Sequence, residues 1–111
     1  MSDLPVEISC EDAHRLLAAG DAPLLVDCRE PQEHAIAVLP GARLMPMSTI
    51  AGRLGDLQGQ ERAHIVVYCH LGVRSRQVAQ WLRQQGYPQA QSLTGGIEQW
   101  ALEIDPEVPR Y

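Results

Sequence analysis

His64-Ile65-Val66-Val67-Tyr68-Cys69-His70-Leu71-Gly72-Val73-Arg74-Ser75-Arg76-Gln77-Val78-Ala79-Gln80-Trp81-Leu82 reads in three pieces. The first is a continuous apolar run, rich in β-branched residues, as a buried strand requires. The second is a loop from Cys69 to Ser75 with a single glycine. From Ser75 onward Val78, Ala79, Trp81 and Leu82 share one helical face. A thiol therefore stands where a strand passes into a helix. A helix N-terminus aims several unpaired N–H groups and roughly half an elementary charge of positive dipole at one place. Free Cys titrates near ~8.5, and such a setting lowers it to about 3.5–7.5. Cys69 is the candidate nucleophile on these grounds.

Outward from this stretch, strands and helices alternate. Val6-Glu7-Ile8 is a short strand, and Ser9 caps a helix with Glu11 and Asp12 in its first turn, ending at Gly20. Leu24-Leu25-Val26-Asp27-Cys28 is a second apolar strand, after which Pro31 suits the first position of a helix. Ala42 to Pro46 is a third strand, and Ser48 can cap a helix through Leu54. Ala90-Gln91-Ser92-Leu93 is the last strand, and Gly95-Gly96 opens a final helix around Ile97, Trp100 and Ala101. The pattern predicts an α/β domain spanning 1–111, with a five-stranded, mostly parallel sheet and helices on both faces. Ligands of such sheets bind beyond the carboxyl ends of the strands, where Cys69 and Asp27 both fall.

Composition narrows the function class. The 111 residues carry a net charge of -5, with nine basic residues that are all arginine and form no run. This predicts no nucleic-acid partner. No segment reaches the roughly 20 apolar residues of a membrane helix, and the start at Met1-Ser2-Asp3-Leu4-Pro5 has no signal-peptide character, so a cytoplasmic protein is expected. Three widely spaced cysteines, Cys10, Cys28 and Cys69, form no disulfide framework. Cys10 reads as packing, and Cys28 as core filling with a resolving thiol as the alternative. Metal binding by His64, His70 and Cys69 is not expected, because no Cys or His pair has ligand spacing. No cofactor is called for.

The chain resembles the rhodanese-like sulfurtransferase domain over nearly its whole length. Three blocks carry the likeness: Asp27-Cys28-Arg29-Glu30-Pro31 with Glu33-His34, the Cys69 to Ser75 loop, and Leu93-Thr94-Gly95-Gly96-Ile97 with Trp100. The tail from Ile104 to Tyr111 is similar to the ending of rhodanese domains fused to ubiquitin-activating-like enzymes that charge sulfur carriers. Two departures stand out: Ala37-Val38-Leu39 replaces the family's usual Gly-His-Ile, and Cys28 stands where Val is common.

The resemblance implies that Cys69 takes a sulfane sulfur from thiosulfate or another persulfide donor, holds it as a persulfide, and passes it to a thiol, cyanide or a sulfur-carrier protein. On this reading the N–H groups of His70, Leu71, Gly72, Val73, Arg74 and Ser75 cradle the outer sulfur, and Gly72 supplies the tight curvature. Arg74, the one fixed cation of the loop, is assigned to the anionic end of the donor, and His70 to the substrate rim. Asp27 and Arg29 are expected to fix neighbouring loops, with Glu30 or Glu33 as partner. Two alternatives are carried. One is a non-catalytic binding module on the same fold. The other is a cysteine-dependent phosphatase, whose loop needs an arginine six positions after the cysteine, where this chain has Ser75.

Overall fold

Among the described residues ten elements follow one another: β1 (Glu7–Ile8), α1 (Cys10–Ala18), β2 (Leu24–Asp27), α2 (Pro31–Ile36), β3 (Arg43–Leu44), a 3₁₀ helix (Ile50–Leu57), β4 (Ile65–Tyr68), α3 (Val73–Gln84), β5 (Ala90–Leu93) and α4 (Gly96–Glu103). This computed structural model describes residues 4–20 and 22–111. Met1, Ser2 and Asp3, which carry part of the N-terminal reading, and Asp21 lie outside the described residues.

The five strands form one sheet in the order β1-β5-β4-β2-β3, with every pairing parallel. The sheet is thus wholly parallel rather than mostly so. The physical reason is that helical segments, including the 3₁₀ helix, return the chain to the same end of the sheet between successive strands. β4 is central, and Ile65, Val66, Val67 and Tyr68 are all buried. Alternate side chains then serve two separate cores. Val66 and Tyr68 pack with Leu93, Ile97, Trp100 and Ala13 on the side of α1 and α4. Ile65, Val67 and Cys69 pack with Val78, Ala79, Leu82 and Leu57 on the side of α3 and the 3₁₀ helix. Helices on both faces follow from this alternation, as the apolar strand runs require.

Local chemistry sets the boundaries. Ser9 caps α1 by accepting from the Asp12 N–H at 3.1 Å, and Pro31 is the first residue of α2 behind a Glu30/Glu33 capping box. Two boundaries differ from expectation. The segment after Ser48 is a 3₁₀ helix preceded by Thr49, because Ser48 Oγ donates to Glu30 Oε1 at 2.7 Å instead of capping. α3 begins at Val73, not Ser75, because Gly72 adopts a left-handed conformation (φ 101°) that lets the turn start two residues earlier. Among the described residues no helix is long and apolar enough to cross a membrane.

Candidate active site

α3 has no side-chain cap of the usual kind at its start. Its cap is the sulfur of Cys69. The Gly72 N–H donates to Cys69 Sγ at 3.1 Å and the Ser75 N–H at 3.3 Å, so the thiol takes the acceptor role that a Ser or Asp oxygen plays elsewhere. Ser75 Oγ lies 3.4 Å from the sulfur and 2.7 Å from Ser92 Oγ. With Ser92 donating to Ser75, the Ser75 proton is available to a thiolate. Val73 and Arg74, the first two residues of the helix, contribute N–H groups that no intrahelical carbonyl can accept.

A further thiol completes the surroundings of the sulfur. β2 and β4 pair in register with Asp27 opposite Tyr68, and the Cys28 N–H extends the ladder to the Tyr68 carbonyl at 3.1 Å. Cys28 therefore lies beside Cys69, on the same face of the sheet, at the roughly 4.8 Å spacing of neighbouring strands. Hydrogen bonding from Cys28 is the largest influence on Cys69; burial opposes it, and Ser75 and Gly72 reinforce it, bringing the Cys69 thiol down to about 5. Cys28 moves the other way: its bond to Cys69 and its burial push its thiol far above the ordinary range. The negative charge belongs on Cys69 because the helix N-terminus and the Gly72 and Ser75 donors all point there. Cys28 is thus more than core filling. It is the neighbour with the largest influence on the Cys69 thiol.

The glycine pair at the start of α4 holds the loop from behind. Ile97 N–H donates to the Cys69 carbonyl at 2.9 Å and Glu98 N–H to the His70 carbonyl at 3.1 Å. Any Cβ on Gly96 would overlap those same two carbonyls, and one on Gly72 would press on the Gly95 nitrogen. Helix entry with close packing is what the Gly95-Gly96 pair achieves.

Arg74 is not a free cation. Its Nη1 and Nη2 donate to Glu33 Oε1 and Oε2 at 2.7 and 2.9 Å, a bidentate pair linking the loop to α2. Glu33 in turn accepts from the Glu30 N–H at 3.1 Å and the Tyr111 hydroxyl at 2.9 Å. The Arg74 guanidinium is the main cause that holds the Glu33 carboxyl down at about 2. His70 lies under the ring of Tyr111, stacked at 4.0 Å, while Leu71 and Val73 project into solvent as the outer rim. Sequence reasoning named Glu33 only as a partner for Arg29 and assigned Tyr111 no role. The capping-box spacing Glu30-Pro31-Gln32-Glu33 was the available signal for a fixed carboxylate.

Asp27 and Arg29 are fully buried on the opposite face from the thiols. Burial alone would raise the Asp27 carboxyl, but hydrogen bonds from Arg29 and His34 hold it below the usual range. Arg29 spans Asp27, the Ala37 and Glu33 carbonyls and the Tyr111 hydroxyl. The pair does fix the neighbouring segment, but Arg29 takes Asp27 itself and the Glu33 main chain, not a Glu30 or Glu33 carboxylate. Cys10 is buried and donates weakly to the Thr94 carbonyl, with its thiol raised to about 11 by burial and Glu103. His64 bonds Gln91 at the far end of β4 from Cys69.

These features define a class: a parallel α/β domain in which a cysteine sulfur caps a helix at the carboxyl edge of the sheet. The model of the rhodanese-like domain matches residues 9–103, and the chain belongs to that family. It is 39% identical over 95 residues to a sulfurtransferase of Allochromatium vinosum, covering 86% of this chain and 87% of that protein. It is 38% identical to the Arabidopsis thaliana rhodanese-like/PpiC domain-containing protein 12, covering 82% of this chain but 31% of that protein. The adenylyltransferase and sulfurtransferase MOCS3-1 of Zea mays matches 94% of this chain at 29% identity, and the chain spans 23% of its length. Among solved structures, the human single-domain sulfurtransferase TSTD1 superposes with a TM-score of 0.78 at 25% identity, over 90% of this chain and 98% of that one.

Proposed function

We propose that this chain is a sulfurtransferase that carries a sulfane sulfur as a persulfide on Cys69. One observation carries the reading: the sulfur of Cys69 replaces the helix cap, receiving the Gly72 and Ser75 N–H groups, and its thiol is lowered to about 5. At neutral pH it is a thiolate. The thiolate attacks the terminal sulfur of a donor such as thiosulfate or an organic persulfide. The S–S bond of the donor breaks, its electron pair leaves with sulfite or a thiolate, and Cys69-S-S⁻ remains. The N–H groups of Val73 and Arg74 support the charge of the added sulfur, as an anion nest does. A thiol, cyanide or a sulfur-carrier protein then attacks the outer sulfur and Cys69 leaves as the thiolate. Three free thiols are compatible with a reducing, cytoplasmic setting.

The test is the mass of the intact protein after incubation with a sulfane donor, without reductant. One added sulfur mapping to Cys69 is expected, lost on addition of cyanide and absent in Cys69→Ser. Sulfur mapping to Cys10 or Cys28 alone would overturn the assignment.

A further inference from the structure

The Glu33–Arg74 pair bears on which donors the site accepts. An arginine beside a reactive thiolate compensates an anionic donor only while its charge is free. Here the charge is already matched. Glu33 meets it with both carboxylate oxygens, and the side chains of the pair are only 18% and 33% exposed. The carboxylate is anchored independently of Arg74. The Glu30 N–H donates to Oε1 and the Tyr111 hydroxyl to Oε2. The direction of the tyrosine proton is fixed: Arg29 Nη1 donates to the Tyr111 oxygen at 2.9 Å, and since a guanidinium cannot accept, the hydroxyl hydrogen must go to Glu33. Four donors thus saturate the Glu33 carboxylate where it stands. The arginine retains N–H groups for a hydrogen bond to a ligand, but the pair has no net charge, so the thiolate of Cys69, which Arg74 feels electrostatically, is not compensated by a free cation of the loop.

From this arrangement we infer that Glu33, held by Tyr111, is a specificity-determining residue that selects donors of low charge, monoanionic or neutral sulfane compounds, over dianionic thiosulfate. Glu33 occupies the place at Arg74 that a sulfonate oxygen would otherwise take. It acts through Arg74 and is a positioning residue. The inference rests on Cys69 being the sulfur-accepting thiolate. With thiosulfate the Cys69 thiolate bonds to the terminal sulfur and sulfite leaves with the electron pair of the broken S–S bond. With an alkanethiosulfonate the same bond breaks and a sulfinate leaves. The two reactions differ by one unit of donor charge and little else.

The experiment compares single-turnover rate constants for sulfur loading of Cys69 from thiosulfate and from methanethiosulfonate, in the wild-type chain, Glu33→Gln and Tyr111→Phe. The wild-type chain is expected to favour methanethiosulfonate. Glu33→Gln releases the Arg74 charge and should raise the thiosulfate rate relative to the thiosulfonate rate by about ten- to a hundredfold, the value of one charge-assisted contact. Tyr111→Phe, which removes one of the donors anchoring Glu33, should move the ratio the same way by a smaller factor. A ratio within twofold of wild type in a folded Glu33→Gln protein would show that Glu33 is only a structural tie. Salt gives a readout that needs no variant. Screening weakens repulsion between like charges, so the wild-type thiosulfate rate should rise with added potassium chloride, and a fall would mean the mouth is net positive and overturn the inference. If neither donor places sulfur on Cys69, the sulfurtransferase reading itself fails, and this inference with it.

Discussion

Cys28 and Cys69 stand side by side at the carboxyl ends of β2 and β4, and the neighbouring Cys28 thiol is the largest influence lowering the Cys69 thiol. One thiol donates and the other carries the charge. The division follows from position, because only Cys69 also faces the first turn of α3.

Replacing Cys28 with Val should therefore make Cys69 a weaker acid. Valine is apolar, only about a methyl group larger, and suits a strand end in a packed core, so the fold should persist. What disappears is the donor with the largest influence on the Cys69 thiol. A hydrogen bond to a charged group is worth about 1.5–3 kcal/mol, which corresponds to a rise of about one to two in the titration midpoint. Ultraviolet thiolate absorbance across pH would measure it. A midpoint that stays near 5 would show that the α3 amides and Ser75 suffice.

Cys69 itself should be alkylated in mildly acidic solution. An ordinary thiol with pKa near ~8.5 is almost wholly protonated at pH 6, whereas a thiol lowered to about 5 is mostly ionised there. The iodoacetamide rate should climb through pH 5 and level off by about pH 7, with Cys10 and Cys28 unmodified because both thiols are raised above the ordinary range and stay protonated. A profile following free cysteine would show that the loop does not activate the sulfur.

The features legible in the sequence were those written in local chemistry. Apolar runs mark β2 and β4, shorter segments between turn signals mark the other three strands, Ser9 marks the start of α1, and a glycine inside the Cys69 loop foretells the positive φ at residue 72. The relationships that escaped are long-range. Arg74 looks like a free cation until α2 brings Glu33 to it from 41 residues away, and Tyr111 meets Glu33 from 78 residues away. The contact of Cys28 with Cys69 depends on strand order and register, which pattern alone does not fix. The start of α3 was misplaced because a serine at position 75 looks like a cap. In the molecule a sulfur six residues earlier does the capping.

Gly96→Ala should damage the site and the fold together. Gly96 has φ 62°, and a Cβ there would collide with the main-chain carbonyls of Cys69 and His70, backbone that cannot move without dragging the reactive loop. The cost combines left-handed backbone strain with overpacking, about 1–3 kcal/mol for each. Denaturant unfolding should show a lower midpoint, and the Cys69 alkylation profile should shift toward that of an ordinary thiol as the Ile97 and Glu98 N–H contacts to the loop loosen. An unchanged profile with lowered stability would separate the two effects and assign the glycine to packing alone.

Acid should destabilise the protein in two windows. Glu33 has an ordinary value of 4.5 and is held at about 2 in the folded chain, chiefly by Arg74. A group lowered by folding contributes stability that is fully present above its unfolded value and is lost as pH falls toward the folded one. For Glu33 that loss runs from 4.5 down to about 2, and Asp27, lowered from 3.8 by Arg29 and His34 against the cost of burial, acts in the same direction. Cys69 has the same sign but a higher window, since its thiol falls from 9.0 to about 5 on folding. The melting temperature should therefore decline from about pH 9 to 5 and again below 4.5. In Cys69→Ser the upper decline should vanish while the lower one remains. In Glu33→Gln the lower decline should become shallower, with the remainder belonging to Asp27 and to Glu98, which Arg110 also lowers. Thermal denaturation at fixed ionic strength across this range measures both, and a Cys69→Ser protein that kept the full upper decline would show that the thiolate is not the group linking stability to pH there.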